Sequence, residues 1–354
     1  MPARVRIGFI GAGGVAQSRH LPALAKIQEA ELGPVWTRTS SKTQGIVEQY
    51  GFSSSVATWQ EVAESPDVDA VIVATPPVLH RDATVTALAA GKHVLCQARM
   101  GQNLSHAQDM LAASRKRNLV TALYPPLPGL KGDRTMLRLL HDEGFVGDIR
   151  EVRVTGMMST PESDSYAWQA DPAVTGVNAM TLGMWIEILN RWVGPATRLS
   201  AIGRTHRGAR TAIDGERVDA EVPDSIAIVA DLECGATASY HFSSAASSVP
   251  SQSIAIYGST GALVYDLFGG QIMGATDGAA DLVPVDIPEA EVRTQDTDSQ
   301  FVRAILEGTS VSPDFEEGMR YMEFSEAVAL SLKSGDMISI PPPACMAAWG
   351  SYLP

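Results

Sequence analysis

The sequence predicts an α/β protein with an N-terminal doubly wound parallel sheet and a C-terminal α/β domain built on a large open, mostly antiparallel sheet. At 354 residues the chain is long enough for about two domains. In the first third, short apolar runs alternate with helical patterns, which is typical of parallel βαβ units. In the second half, apolar residues recur at every second position between glycine-containing turns, which favours antiparallel strands with one covered face.

The first strand leads directly into a glycine-rich turn. The apolar run Val5–Ile10 is followed by Gly11-Ala-Gly13-Gly-Val-Ala16 and then by a helical pattern. This order is the Rossmann fingerprint for dinucleotides: Gly11 permits the tight turn, Gly13 lets a pyrophosphate approach the backbone, and Ala16 lets the helix pack closely. Free N–H groups at the start of the helix favour bound phosphates. The predicted phosphate-binding residues are Gly11, Gly13, Gly14, Val15 and Ala16.

The turn after the second strand bears on which dinucleotide binds. In NAD-specific folds, the strand predicted at 31–36 would end in an acidic residue that binds both ribose hydroxyls. Thr37 occupies that position here, and no carboxylate is present to repel a 2′-phosphate. Arg38 can stack on adenine and pair with a phosphate. The sequence therefore favours NADP(H) over NAD(H), with a polar loop and an incidental arginine as the alternative. The predicted contacts are Thr37, Arg38, Thr39 and Lys42.

Two later strands end near the predicted cofactor. The buried strand at 69–74 runs into a Thr-Pro-Pro turn that begins at Thr75 and reaches His80. We expect Thr75, Pro76 and His80 to lie beside the cofactor, with a helix cap as the alternative for His80. The last strand of the parallel sheet ends at Tyr124, which is expected to face the nicotinamide crevice.

The chain is predicted to divide at a proline cluster. Pro125, Pro126 and Pro128 follow the last strand of the parallel sheet and interrupt its secondary structure. Residues 1–124 are then expected to form the cofactor domain. Residues 125–354 are expected to form the α/β domain that binds the substrate and mediates oligomerisation.

Charge and cysteine content argue against several classes of protein. The net charge of −13 and the isoelectric point near 5.0 argue against nucleic acid and anionic membranes as partners. No apolar run approaches the roughly 20 residues that span a bilayer, and we expect no signal peptide. Cys96, Cys234 and Cys345 form no CxxC pair, which suits reduced thiols in the cytoplasm. We expect a cytoplasmic protein without a metal, whose partner is a small-molecule substrate.

Motifs in both halves of the chain together resemble one protein family. They are Gly8-Phe-Ile-Gly-Ala-Gly, Asp69-Ala-Val-Ile-Val-Ala-Thr-Pro-Pro-Val-Leu-His80, Ala90-Gly-Lys-His-Val-Leu-Cys96, Gly144-Phe-Val-Gly-Asp, Tyr257-Gly-Ser-Thr-Gly-Ala-Leu and Phe301-Val-Arg-Ala-Ile-Leu-Glu-Gly. In the order and spacing of these motifs, the chain resembles the glucose–fructose oxidoreductase, inositol dehydrogenase and MocA (Gfo/Idh/MocA) family. The resemblance implies a Rossmann domain followed by an open-sheet α/β domain, a nicotinamide cofactor, and a homo-dimer or homo-tetramer formed through the sheet face.

The chain departs from this family at the positions to which the resemblance assigns proton transfer. The family's Glu-Lys-Pro, whose lysine contacts substrate and cofactor, is replaced by Gln97, Ala98 and Arg99. The family's Asp and His, four residues apart on one helix, are replaced by Thr181 and Trp185. The resemblance therefore implies that Gln97 and Ala98 lie at the cofactor. It also implies that the usual proton-transfer lysine and histidine are both missing.

Hydride transfer needs a group that exchanges the hydroxyl proton, so we expect this role to have moved. Tyr124, a phenol beside Arg99, and His80 are the candidate catalytic residues, with a packed tyrosine as the alternative for Tyr124. Arg99 is expected either to bind a carboxylate of the substrate or to pair with an acid at the surface.

The remaining pocket prediction concerns the second half of the chain. Trp185 and neighbouring methionines would make the pocket apolar and aromatic, with ordinary core packing at helical spacing as the alternative. Asn178 is a candidate hydrogen-bond donor to a substrate oxygen. The predicted pocket residues are Arg99, Tyr124, Trp168, Asn178, Thr181 and Trp185.

Three functions remain open from the sequence. The first is an NADP(H)-dependent oxidoreductase that acts on a small, hydrophobic or cyclic alcohol or carbonyl with non-standard acid–base residues. The second is a lyase, isomerase or hydrolase that retains the nicotinamide cofactor without net redox turnover. The third is a non-catalytic dinucleotide-binding sensor, because the same fold can host one.

Overall fold

A computed structural model of the chain describes residues 4–124, 130–158, 166–212, 215–245, 251–293 and 296–341. The proline cluster and Cys345 lie outside the described residues. The chain forms two compact units. The N-terminal unit comprises 1–126 and 296–322, and the C-terminal unit comprises 127–295 and 323–354.

The bounds of the regular elements follow the predicted alternation in the first third of the chain. The strands are β1 (Val5–Ile10), β2 (Ala30–Trp36), β3 (Ser54–Ser55), β4 (Ala70–Val73), β5 (His93–Gln97), β6 (Thr121–Tyr124), β7 (Ile149–Met157), β8 (Ala196–Arg204), β9 (Ala209–Thr211), β10 (Arg217–Asp219), β11 (Ser225–Leu232), β12 (Thr237–Ser243), β13 (Ser251–Gly258), β14 (Gly261–Asp266), β15 (Gln271–Thr276), β16 (Val283–Val285) and β17 (Ile338–Ser339). The α-helices are α1 (Leu21–Leu24), α2 (Ser40–Tyr50), α3 (Trp59–Glu64), α4 (His80–Ala89), α5 (Leu104–Ser114), α6 (Asp133–Leu137), α7 (Pro172–Thr175), α8 (Leu182–Trp192), α9 (Thr297–Glu307) and α10 (Phe315–Ser334).

The N-terminal unit is the predicted doubly wound sheet. Its strands are all parallel and lie in the order β3-β2-β1-β4-β5-β6. The strand order reverses between β1 and β4, and ligands of such sheets bind at the carboxyl ends of the strands near this reversal. After β3 the chain enters α3, because Thr58 caps the helix by accepting a hydrogen bond from the N–H of Glu61.

The chain returns to the N-terminal unit near its C-terminal end, which the single boundary predicted at 124 did not anticipate. Residues 296–322 contain α9 and the first part of α10. The apolar face of α9, with Phe301 and Ile305, packs into the same core as Ile7 and Phe9 of β1. Burial of this amphipathic face against the parallel sheet fixes the helix in the N-terminal unit.

The C-terminal unit contains the predicted open sheet. Its strands lie in the order β16-β15-β14-β13-β7-β12-β11-β8-β17, and every neighbouring pair is antiparallel except β7 and β12. Along β11 and β12, buried and exposed residues alternate, so one face is covered and the other is open. Trp185 and Trp192 of α8 pack on the covered face, against Phe242 and Tyr265. Among the described residues, no helix is both long and apolar enough to cross a membrane.

Candidate cofactor and substrate site

The glycine turn is shaped by its contact with the end of β4. Gly11 has a φ of +91°, and a Cβ at this position would lie 2.5 Å from the carbonyl oxygen of Ala74. Only glycine fits such a left-handed position at this distance. A Cβ at Gly13 would meet no atom of the described chain within 4 Å. The turn is therefore packed on its inner side and open on the side from which a pyrophosphate would approach.

The helix start behind the turn is also arranged for a ligand. Gly14 and Val15 begin the helix, and Val15 is exposed, whereas Ala16 is buried against the sheet. The side-chain amide of Gln17 donates to the carbonyl oxygen of Ala12 at 2.7 Å, which ties the turn to the helix. The chain then continues as a π-helical segment over Ala16–His20 before α1. This arrangement fits the predicted phosphate site.

The turn after β2 leaves Arg38 available. The Thr37 hydroxyl contacts the Thr43 hydroxyl at 2.6 Å and donates to the carbonyl oxygen of Thr39 at 3.2 Å, so the turn is held from within. Arg38 is exposed and forms no hydrogen bond or ion pair with any residue that the structure describes. Lys42 lies in α2, and its side chain is outside the described part. The turn can thus present a cation to the adenosine end of a dinucleotide.

His80 connects two of the predicted loops. Its Nδ1 lies 2.8 Å from the carbonyl oxygen of Arg99, and its Nε2 lies 2.6 Å from that of Thr75. The ring is buried, and burial lowers the pKa of His80 below its usual value. Both ring nitrogens face backbone carbonyls, so neither is free to exchange a proton with a substrate. The geometry favours a positioning role that joins the Thr75-Pro76 turn to the loop after β5, rather than the predicted catalytic role.

The altered triplet Gln97-Ala98-Arg99 is fixed through its backbone. The N–H of Ala98 donates to the carbonyl oxygen of Tyr124 at 3.2 Å. The N–H of the following residue, Met100, donates to the Tyr321 hydroxyl. The Arg99 side chain is half-buried, and desolvation lowers the pKa of Arg99 to about 10. This triplet therefore holds a poorly solvated cation at the carboxyl end of β5.

Tyr124 belongs to a buried polar cluster that the sequence analysis missed. Its side chain is 4% exposed, and its ring centroid lies 4.0 Å from that of His20. The Nδ1 of His20 lies 2.6 Å from the Oδ1 of Asp298, and both residues are buried. Arg19 forms a hydrogen bond with the Tyr124 phenol. We call Arg19, His20, Tyr124 and Asp298 the phenol cluster.

Burial and the neighbouring carboxylate set the acidity of the phenol. Desolvation, followed by the charge of Asp298, raises the pKa of Tyr124 to about 12, although the Arg19 guanidinium acts in the opposite direction. The phenol therefore keeps its proton at neutral pH. A phenol in this state can act as an acid, and a neighbouring guanidinium can stabilise the phenolate that remains.

The pocket residues predicted in the C-terminal unit are mostly engaged with one another. The indole N–H of Trp185 donates to the Thr181 hydroxyl at 3.2 Å, and Trp185 is only 1% exposed. The structure thus favours core packing for Trp185 over a pocket wall. Asn178 is buried and donates to the carbonyl oxygen of Thr175 at 2.6 Å. Trp168 is 38% exposed and therefore retains surface for a ligand.

Metal binding finds no support in the clusters that the structure describes. No group of three or more His, Cys, Asp or Glu side chains within the described ranges is arranged to hold a metal ion. The cysteines in these ranges, Cys96 and Cys234, are free thiols. Burial raises the pKa of the Cys96 thiol, so it is a poor nucleophile.

Two family models match the chain. Residues 5–124 match the oxidoreductase family with an NAD-binding Rossmann fold, and residues 135–264 match the GFO/IDH/MocA C-terminal domain. A solved structure of levoglucosan dehydrogenase with NADH and L-sorbose has the same fold, with a TM-score of 0.83 and 20% identity over 96% of this chain and 99% of that one.

Curated relatives are similar over part of their length. A dTDP-3,4-didehydro-2,6-dideoxy-alpha-D-glucose 3-reductase of Streptomyces violaceoruber is 32% identical over 47% of this chain and 48% of its own length. A trans-1,2-dihydrobenzene-1,2-diol dehydrogenase of Bos taurus is 27% identical over 57% of this chain and 59% of its own length. The aligned part thus spans about half the length of these relatives. With both of its domains matched in order, the chain belongs to the Gfo/Idh/MocA family of oxidoreductases.

Proposed function

We propose that the protein is an NADP(H)-dependent oxidoreductase that interconverts a small, hydrophobic or cyclic carbonyl compound and its alcohol. The observation that carries this proposal is the phenol cluster at the carboxyl end of β6, which supplies an acid where the family's lysine and histidine are missing. The curated relatives described above include a reductase and a dehydrogenase, and this supports redox chemistry.

In this proposal the chain binds the cofactor at two places. The glycine turn, open at Gly13, accepts the pyrophosphate, and Arg38 accepts a 2′-phosphate. A bound reduced nicotinamide supplies the hydride. The chain's own contribution is to hold both loops in place through His80 and to supply the proton.

Tyr124 is the proposed proton donor in the direction of reduction. As the carbonyl carbon gains hydride, its oxygen develops negative charge and takes the phenol proton. The phenol is protonated at neutral pH because its pKa is about 12, so reduction is the direction in which Tyr124 is ready to act. Arg19 then stabilises the phenolate through its hydrogen bond.

A cyclic substrate with an apolar ring and a homo-oligomer complete the proposal. The similarity to a dehydrogenase named for a dihydrobenzene diol supports such a substrate. Ile202 and Val229 expose apolar side chains on neighbouring strands at the open face of the C-terminal sheet. These two side chains support a homo-dimer or homo-tetramer that covers this face.

The proposal is tested by binding first and turnover second. NADPH is titrated by fluorescence, and the complex is then mixed with ketones, aromatic aldehydes and cyclic enones while nicotinamide absorbance is followed. We expect tight binding and oxidation of NADPH by at least one compound. Gly13→Ala tests whether binding depends on the glycine turn. The added methyl would contact no described atom of the chain, so the variant should fold as the wild type does and bind the cofactor more weakly. Tight binding without oxidation would instead favour the non-redox enzyme or the sensor.

Arg38→Ala should weaken NADPH binding by about 10- to 100-fold and leave NADH binding nearly unchanged, because a charged hydrogen bond to the 2′-phosphate is lost. The exposed position of Arg38 makes a change in folding stability small. Fluorescence titration of both cofactors with wild type and variant measures the effect. Equal weakening of NADPH and NADH would contradict the assigned role.

A further inference from the structure

Arg99 is a half-buried cation without a counter-charge in the part of the chain that the structure describes. Among the described residues, no carboxylate lies within 4 Å of its guanidinium, and its Nε is shielded from solvent without a hydrogen-bond acceptor. The chain carries 40 acidic against 27 basic residues, so carboxylates are plentiful elsewhere. Arg191, another half-buried arginine, is paired with carboxylates, whereas the Nε of Arg210 is shielded without an acceptor, as in Arg99. What sets Arg99 apart is a second donor of the same kind close by in the chain.

Gln97, two residues before Arg99, has a side-chain donor in the same situation. Its Nε2 is also shielded from solvent and has no acceptor among the residues that the structure describes. Burying a donor without a partner is unfavourable, yet two such donors occur in one triplet. Because bonds from His80, Tyr124 and Tyr321 fix the backbone of 98–100, the triplet is a built feature and not a loose loop.

The position of these donors identifies the kind of acceptor. They follow β5, at the sheet edge where ligands of this fold bind. In the strand order, β5 is three places from β2, which corresponds to about 14 Å at the usual strand spacing. A 2′-phosphate held by Arg38 after β2 is therefore out of reach. The pyrophosphate bound at the glycine turn follows β1, two places from β5 or about 10 Å at the same spacing, and the reduced nicotinamide carries no anion. An anionic acceptor at Arg99 is therefore assigned to the substrate.

We propose that Gln97 and Arg99 form a subsite for an oxyanion carried by the substrate, a carboxylate or a phosphate attached to the carbonyl compound. This inference rests on the proposed function for the presence of a substrate at this edge. An arginine fork donates two parallel hydrogen bonds to either group, and the Gln97 amide adds a neutral donor. With this subsite, the ring of the substrate would be apolar and its substituent anionic.

The experiment uses unreactive ligands, so that it does not depend on turnover. The full chain with bound NADPH is titrated calorimetrically with benzoate, phenyl phosphate and benzyl alcohol. We expect at least one of the two anions to bind about 10-fold or more tightly than benzyl alcohol. Preference for benzoate assigns the carboxylate, and preference for phenyl phosphate assigns the phosphate. Because the protein is acidic overall, general electrostatics would oppose both anions.

Variants of Arg99 test whether the preference for anions arises at this subsite. Arg99→Gln should abolish the preference for the anion, and Arg99→Lys should retain part of it, because the charge remains while the fork is lost. Arg115→Gln removes an exposed cation of the same unit that pairs with Glu316, and it should leave the preference intact. NADPH binding and the melting temperature show that each variant is folded.

Two outcomes would overturn the inference. One is equal binding of neutral and anionic ligands by the wild type, and the other is an anion preference that survives in a folded Arg99→Gln. The redox proposal fails separately. If no carbonyl compound oxidises NADPH but benzoate binding depends on Arg99, the oxyanion subsite stands and the assigned reaction is wrong.

Discussion

Tyr124→Phe should lower kcat for carbonyl reduction by about 10²- to 10⁴-fold, the usual contribution of a positioned general acid. The substitution removes only the hydroxyl, so the ring keeps its contact with His20 at the end of β6. We therefore expect NADPH affinity and KM to stay close to those of the wild type. Single-turnover measurement of nicotinamide absorbance after mixing the NADPH complex with substrate separates the chemical step from product release.

The control for this experiment is a second tyrosine without a role in the cluster. Tyr257 of β13 lies in the C-terminal unit and is partly exposed beneath Arg153. Tyr257→Phe should leave kcat unchanged. If Tyr124→Phe retained a substantial part of the wild-type kcat, Tyr124 would be a packed tyrosine, and the proton would have to come from another group or from water.

The parts of this protein that are encoded locally were predictable. The glycine turn, the end of β4 just before Thr75, the end of β6 at Tyr124 and the stop of α2 at Gly51 each follow from a few adjacent residues. The parallel sheet follows because alternating strands and helices leave few other arrangements. The resemblance to the family then indicated where acid–base groups are absent, at Ala98 and Trp185.

The phenol cluster could not be predicted, because its members come from distant parts of the chain. His20 and Asp298 are 278 positions apart, and neither stands in a recognisable motif. The His20 position in the helical pattern was the one available signal, since a histidine on the buried side of a helix needs a partner. The partner is supplied by the return of α9 to the N-terminal unit, which the domain boundary predicted at 124 excluded.

Contacts that sequence position alone does not reveal also determine the surroundings of Trp185 and His80. Sequence spacing assigned Thr181 and Trp185 to one face directed toward the substrate, but it could not show that they bond to each other and that Trp185 packs against Phe242 of the sheet. For His80, sequence position next to the Thr-Pro-Pro turn suggested chemistry. Only the contact of its Nδ1 with the carbonyl oxygen of Arg99, 19 positions away, shows that both ring nitrogens are occupied.

Asp298→Asn should shift the alkaline limit of reductase activity to lower pH. Burial, together with the Asp298 carboxylate, holds the pKa of Tyr124 at about 12. Removing the charge while keeping the shape lowers that pKa toward 10, so the phenol loses its proton, and its function as an acid, at a less alkaline pH. The pH dependence of kcat measures this shift. Asp296→Asn, an exposed change two residues away, should leave the alkaline limit where it is.

The same substitution separates the chemical role of Asp298 from its structural role. Replacing the buried, charged hydrogen bond to His20 by a neutral one should reduce the free energy of unfolding by about 1–1.5 kcal/mol at neutral pH. The folded pKa of Tyr124 lies above its unfolded value. The stability that its protonated phenol contributes is therefore full below pH 10 and is lost as pH rises through about 12. In Asp298→Asn this loss should finish at lower pH. If stability falls in Asp298→Asn but the alkaline limit of kcat does not move, Asp298 acts only by holding His20, and the carboxylate does not tune the phenol.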